Sequence, residues 1–291
     1  LHAALAGKPI RDDVVFLGEL KDDGTLTRPR HSWDNLGVIR TAEGGRLIVP
    51  PDLLPELRSF LVMEDPGFFL RWEVLVVGSL DAALGLCTVG GDPEGLAEAT
   101  SLFADVQEAA RTGDVGQLSV NTKVRARLAQ IEEIAPFHLS ATMVLLQGSS
   151  KRPTRLERAV SARVLRSAIE PLTPFTHADT ANLDPAALQA AHDVCRSLLD
   201  PLQRYIAKDD LPRLEEATDL ANLARSLARD RKYAVTDTLG RQNRHAVELA
   251  ENHRKLKAGF PAYLRTLAPF TGERLPAAAP PGPARPGPAG P

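Results

Sequence analysis

Only two cysteines, Cys87 and Cys195, occur in 291 residues, and they stand far apart in apolar, helix-like stretches. Two are too few for a disulfide framework, and their spacing is too wide for a cysteine metal site. Both read as buried free thiols, which points to a reducing cytoplasm. No apolar run reaches the roughly 18 residues that a membrane-spanning helix needs, so no membrane insertion is expected. A net excess of one charge is also lacking. The formal balance is −2, whereas domains that hold nucleic acid by bulk electrostatics are strongly basic. No Gly-x-x-x-x-Gly-Lys-Ser/Thr loop is present, so the chain has no nucleotide-phosphate cradle of that type. Neither is there a His-x-x-x-His pair. His245 and His253 stand eight residues apart, on about the same helix face but two turns distant, so no metal and no other cofactor is expected in this chain. The first residue is Leu1, and no signal-peptide pattern follows it. The expectation is a piece of a longer polypeptide.

What is present is an ordinary soluble balance of 43% apolar and 25% charged residues, arranged in four zones. Residues 1–90 mix helix and strand. Leu1 to Ala6 reads as a helix end stopped by Gly7 and Pro9, and Val14 to Leu17 as a buried strand. Asp22-Asp23-Gly24 is a turn. Ser32 to Ala42 reads as a helix with Ser32 as N-cap and Gly44-Gly45 as its stop. Leu47 to Val49 and Trp72 to Val77 are further strands, and Ser79 opens a helix through Leu86. Strands alternating with helices indicate an α/β layer. Gly90-Gly91-Asp92-Pro93 is a hinge.

Residues 91–150 form a helical connecting region, with helices at Leu96–Ala110, Asn121–Ala135 and Leu139–Gln147. Residues 151–270 read as an α-helical domain. Its first helix spans Arg155 to Ile169, stopped by Pro171, and Asp184-Pro185 is an N-cap followed by proline. Two apolar stripes follow, at Leu188, Ala191, Cys195, Leu198 and Leu202, and at Leu214, Ala217, Leu220, Ala224 and Leu227. A last helix is expected from Thr236 to about Leu264. Residues 271–291, above all Leu275 to Pro291, are a Pro/Ala/Gly tail that cannot bury enough apolar surface to order itself.

From Ala3 onward, the stretch Ala-Leu-Ala-Gly-Lys-Pro-Ile-Arg-Asp-Asp-Val-Val-Phe-Leu-Gly-Glu-Leu resembles the proteolytic domain of Lon-type (S16) peptidases. There a helix ending in a similar Leu-x-Gly-Arg/Lys-Pro leads to a strand that closes in Gly-Glu, here Gly18-Glu19. A turn glycine (Gly24), a helix with Ala and Gly (Ala42, Gly44) and a strand ending in proline (Leu47 to Pro50) follow without a gap. The likeness covers about residues 1–88 and extends to the non-proteolytic Lon-like domain of bacterial recombination ATPases. It implies that the N-terminal α/β part is a Lon protease-like (ribosomal-S5-like) domain, which the all-α helical domain read above follows.

The family's chemistry is a Ser–Lys dyad, in which a lysine of depressed pKa activates a serine hydroxyl. By the resemblance the serine would precede Leu1, and ungapped spacing places the lysine position at Trp33. Indole has no basic lone pair to accept the proton. The family's threonine before Gly-Glu is Leu17 here, and Lys21 lies in the turn, away from the required helix. No residue of this chain is therefore assigned to catalysis. Leu17, Gly18, Glu19 and Trp33 are family-motif positions without an assigned reaction. Trp33 reads as an aromatic plug, or as a ligand-stacking ring in a repurposed cleft. Glu19 reads as a turn or arginine partner, or as a surviving polar site residue.

The basic residues fall into two stripes, Lys151 to Arg166 and Arg225 to Lys257, interspersed with Glu157, Glu215, Glu216, Asp219, Glu248 and Glu251. Solvated helix faces explain both. Nucleic acid or an acidic partner is the rival, and few aromatics interleave to support it. Ile134 to Leu146 resembles the second helix of a tetratricopeptide-like hairpin, without a repeat of about 34 residues. The sequence is thus read as a non-catalytic Lon-like scaffold with a helical protein-interaction domain, binding a protein partner or itself. The alternatives are an ATP-dependent S16-type serine peptidase whose serine lies upstream, and an accessory factor in DNA repair or recombination.

Overall fold

The computed structural model describes residues 9–271 except 64, 66, 112 and 237–241; the side chains of 235, 236, 242 and 243 also lie outside the description. The helix end expected at Leu1–Ala6 and the tail expected from Leu275 fall outside the described residues.

The N-terminal part runs through β1 (Val14–Phe16), β2 (Glu19–Leu20), β3 (Leu26–Thr27), α1 (Ser32–Thr41), β4 (Gly45–Val49), α2 (Leu54–Val62), α3 (Phe68–Arg71), β5 (Trp72–Val76) and α4 (Leu80–Cys87). The three apolar runs pair as a parallel sheet in the order β1-β4-β5. Leu47, Ile48 and Val49 of the central strand are all fully buried, as a strand covered on both faces must be. Alternation sorts the side chains. Leu47, Val49 and Val74 face α1, α2 and α3, while Ile48, Leu75 and Val77 face Leu26 of β3 and Ala83 and Leu86 of α4. β2 and β3 form a two-stranded hairpin over the expected turn, with Gly24 at φ 81 and Asp23 Oδ1 accepting from the Thr25 amide. β1 is a strand as expected but not a buried one: no strand among the described residues pairs with its outer edge, and Val15 and Phe16 are exposed there while Leu17 is buried.

The next part holds α5 (Leu96–Arg111), α6 (Val115–Val120), α7 (Thr122–Ile134) and α8 (Leu139–Gln147). Its apolar residues Phe103, Val106, Leu128 and Ile131 share one core with Leu47, Val49 and Phe68. The start of α8 also closes the outer edge of β5. The Val76 amide donates to the Phe137 carbonyl at 2.9 Å. Ser140 Oγ accepts from the Val74 amide at 2.9 Å and donates to the Trp72 carbonyl at 2.6 Å.

The last part is helical: α9 (Arg158–Ile169), α10 (Thr173–His177), α11 (Pro185–Leu199), α12 (Leu211–Thr236) and α13 (Gln242–Thr271). An α/β N-terminal part followed by helices is therefore observed. Among the described residues no helix is long and apolar enough to cross a membrane. Cys195 is buried and free, with its thiol pushed up to about 11 by desolvation; Cys87 is also free and partly buried.

Several boundaries differ from the sequence reading. Ser32 does not cap α1. His31 occupies that position at φ 53, and the Ser32 hydroxyl is drawn to Glu56 instead. Gly44 and Gly45, at φ 128 and 142, lead the chain into β4, and a Cβ on Gly44 would collide with the Arg71 carbonyl. α2 was hidden by Pro50, Pro51 and Pro55. Pro55 sits in the first helical turn, where the missing amide costs nothing. α9 begins at Arg158, not Arg155. On α11 Leu199 faces the core and Leu198 is exposed. α13 starts after Thr236 and continues through Pro261 and Pro269 to Thr271, because Leu256, Phe260, Tyr263 and Leu267 keep a buried stripe at helical spacing.

A charged network is buried in the sheet. Arg46 on β4 stands opposite Glu73 on β5, and its Nε donates to Glu73 Oε2 at 2.8 Å. Arg46 also reaches Asp92 Oδ1 at 2.8 Å and Thr100 Oγ1 at 3.3 Å, and Thr100 donates to Glu73 Oε1 at 2.6 Å. His138 Nε2 lies 3.4 Å from the same carboxylate oxygen. Desolvation alone would raise the Glu73 pKa. His138, Thr100 and Arg46 outweigh it and hold the carboxyl down at about 2. A depressed carboxylate contributes stability that is present above its ordinary value of 4.5 and lost as pH falls toward about 2. Urea midpoints should therefore drop across that window. Glu73→Gln should flatten the drop and cost about 3 kcal/mol or more at neutral pH, because Arg46 loses a buried partner. An unchanged pH profile in the variant would show that Glu73 is not the titrating group.

Candidate functional site

The loop from β3 into α1 meets α9 at a seam between the α/β part and the helical part. Trp33 is half-buried there, packs against the apolar cores on both sides, and sits 6.2 Å from the Phe60 ring. Below it Glu56 of α2 is completely buried. A lone carboxylate in such surroundings needs matching charge. Arg163 of α9 supplies it, with Nε 2.8 Å from Glu56 Oε1, and Arg28 Nη1 lies 3.3 Å from the same oxygen. The Ser32 hydroxyl donates to that oxygen at 3.2 Å, while Glu56 Oε2 has no hydrogen-bond partner among the described residues. Desolvation therefore prevails over the two arginines and raises the Glu56 pKa, and it lowers that of Arg163.

Further contacts fasten the same seam. Arg152 donates from Nε and Nη2 to the Leu61 carbonyl at 3.2 and 2.7 Å. Ser167 of α9 donates to Asp34 of α1. Arg28 Nη2 donates to the Thr271 carbonyl at 3.2 Å, tying the end of α13 to the loop. His31 is the only non-glycine residue at positive φ among the described residues.

The chemistry open to this arrangement is narrow. A hydroxyl becomes a nucleophile when a base touches it. Ser167 donates to a carboxylate, and His31 lies on the far side of that carboxylate, its Nδ1 3.7 Å from Asp34 Oδ2. The order serine–carboxylate–imidazole is not a relay. The Ser32 hydroxyl is committed to Glu56. The cations here are Arg28, Arg163 and Arg166, which hold their protons and cannot act as bases. The cleft between Arg28, His31, Trp33, Asp34 and Arg166 encloses about 30 Å³, room for about one water molecule. His31, Asp34 and Glu170 bring ligand-type atoms within 4.8 Å at its mouth, all on exposed side chains.

The other family-motif positions lie elsewhere. Leu17 is buried after β1, with its amide donating to the Ile48 carbonyl at 2.9 Å. Gly18 lies under the Phe16 ring, where a Cβ would come 2.7 Å from Cζ. Glu19 is exposed at the start of β2, 4.0 Å from Lys21, and its carbonyl accepts from Thr27 Oγ1 at 3.3 Å. None of the three joins Trp33 in lining the cleft. Sequence reasoning missed Glu56 and Arg163. A single glutamate inside Leu53-Leu54-Pro55-Glu56-Leu57 and the apolar run after it was the signal available.

The basic stripes are largely matched by acids. Arg158 Nε lies 3.1 Å from Asp210 Oδ1, Arg244 Nε 2.9 Å from Glu248, and Arg254 Nη2 2.8 Å from Glu251. Arg225, Arg229 and Lys232 line a groove of about 780 Å³ beside α11. His253 is buried, with Nδ1 2.8 Å from Thr180 Oγ1 and Nε2 2.9 Å from the Phe175 carbonyl, so it does not pair with His245. No family model matches the chain, and no match was found among curated proteins or solved structures.

Removing one member of the seam pair leaves a buried charge behind. Glu56→Ala and Arg163→Ala should each cost about 3–5 kcal/mol in urea unfolding, and Glu56→Leu combined with Arg163→Leu should recover most of that loss. Single variants within about 1 kcal/mol of the parent would place the pair among contacts of little weight.

Proposed function

We propose that the chain is a non-catalytic, Lon-like scaffold whose helical part serves protein recognition or self-association. The order of elements supports the Lon-like part of the reading. β1 leading to Gly18-Glu19, a turn at Gly24, α1 and then β4 closing at Pro50 come in the order of the family pattern read in the sequence. The observation that carries the non-catalytic part is Trp33. At the position where the family has its lysine, an indole bridges two apolar cores beside a cleft with space for about one water. An extended peptide has nowhere to lie there. α9 packs on α1 and α2 across the same place, so the helical part occupies the ground a substrate would need. In this reading the helices are a platform for a protein partner or a second copy in the cytoplasm.

The test is reaction of the chain and of Trp33→Lys with a fluorophosphonate probe and with unfolded casein, with and without ATP. Neither protein should be labelled, and casein should stay intact. Labelling of a serine in the parent chain, lost when that serine is replaced, would overturn the reading in favour of a serine peptidase with a different base.

A further inference from the structure

Where α12 and α13 come together, Asp230, His245 and Glu248 bring one ligand-type atom each within 4.8 Å of one another. His245 Nδ1 is 3.8 Å from Asp230 Oδ1 and 3.7 Å from Glu248 Oε2. We propose that these three residues form a binding site for a divalent transition-metal ion such as Zn²⁺ or Mn²⁺.

The imidazole nitrogen is the telling atom. Nδ1 of His245 is sealed from solvent and has no hydrogen-bond partner among the described residues, a state that buried polar groups in proteins rarely keep. Both carboxylates lie beyond hydrogen-bond reach of it, at 3.8 and 3.7 Å. A metal ion between the three atoms satisfies the nitrogen, which is a neutral imidazole's normal coordinating role. The distances suit an ion. Two ligands held about 2.1 Å from a metal are about 3.4 Å apart at a tetrahedral angle, and the two distances from His245 Nδ1, 3.8 and 3.7 Å, exceed that by a few tenths of an ångström. Glu248, on a partly exposed side chain, has room to move closer.

The surroundings already orient the set. Asn252 Nδ2 donates to Asp230 Oδ2 at 3.0 Å, leaving Oδ1 turned toward His245. The Tyr233 ring stacks on the imidazole at 5.4 Å. His245 and Glu248 lie three residues apart on one face of α13, and Asp230 faces them from α12 with no exposed surface. The acids are paired with Arg229, 3.1 Å from Asp230, and Arg244, 2.9 Å from Glu248. Both arginines are largely exposed and can swing into water when a cation takes their place. One imidazole and two carboxylates suit Zn²⁺ and Mn²⁺ better than a soft ion that prefers thiolate. Three protein ligands leave a further position open.

The experiment is calorimetric titration of the metal-free full chain with ZnCl₂ and with MnCl₂, together with the visible absorption of added Co²⁺. One ion per chain is expected, with a tetrahedral-type Co²⁺ spectrum. His245→Gln and Glu248→Gln should each weaken binding by tenfold or more. Both positions are partly exposed, so circular dichroism should show these variants folded. His31→Gln, at the exposed cluster near the seam, should bind like the parent. No binding by the parent would overturn the proposal, and so would equal affinity in the two α13 variants.

Discussion

A carboxylate with no exposed surface must either find positive charge inside the protein or give up its own, and Glu56 does the first incompletely. Two arginines and a hydroxyl converge on one of its oxygens, while the other has no hydrogen-bond partner among the described residues. The joining of the two halves of the molecule depends on this contact. Arg163 sits on α9, Glu56 on α2, and Arg28 reaches on to the last residue of α13. Apolar packing around Trp33 and Phe60 supplies the cohesion, and the charges fix which part of one helix meets which part of the other. The cost of burying ions means such a pair adds specificity of docking more readily than net stability.

The two buried carboxylates respond to pH in opposite senses, and their surroundings say why. Glu73 has donors on both oxygens, from Arg46 and Thr100, with His138 close by, and burial is overruled. Glu56 has its donors crowded on one oxygen, and burial prevails. A carboxylate with a raised pKa contributes its stability below the ordinary value and loses it as pH rises through the folded one. Lowering the pH therefore weakens the sheet network while easing the cost carried at the seam.

The strands were legible because short continuous apolar runs have one common explanation, a strand covered on both faces. Leu47 to Val49 and Trp72 to Val76 obey it, whereas Val14 to Phe16 is a strand at the sheet edge with Val15 and Phe16 exposed. Helix starts with a capping side chain were equally plain at Ser79, Asn121 and Asp184. The failures share a cause in tertiary structure. Ser32 has the right residue type for an N-cap, but Glu56, distant in sequence, claims its hydroxyl. α2 is buried almost all round, so it shows no amphipathic stripe to mark its period. The same holds for the site. Trp33 was singled out through the family resemblance, whereas Glu56 and Arg163 become partners only when α9 folds back across the sheet's helices. Asp230 and His245 belong to different helices, and nothing in the spacing of the histidines pointed to a carboxylate between them.

The sheet has two unlike margins. At β5 the loop and first turn of α8 take up the backbone groups, through Phe137 and the hydroxyl of Ser140. At β1 the outward groups of Val14–Phe16 meet no strand among the described residues. The sheet is thus a directional template, with one margin sealed and the other able to continue. Any further strand would join on the β1 side. It would extend the sheet away from the edge that α8 seals.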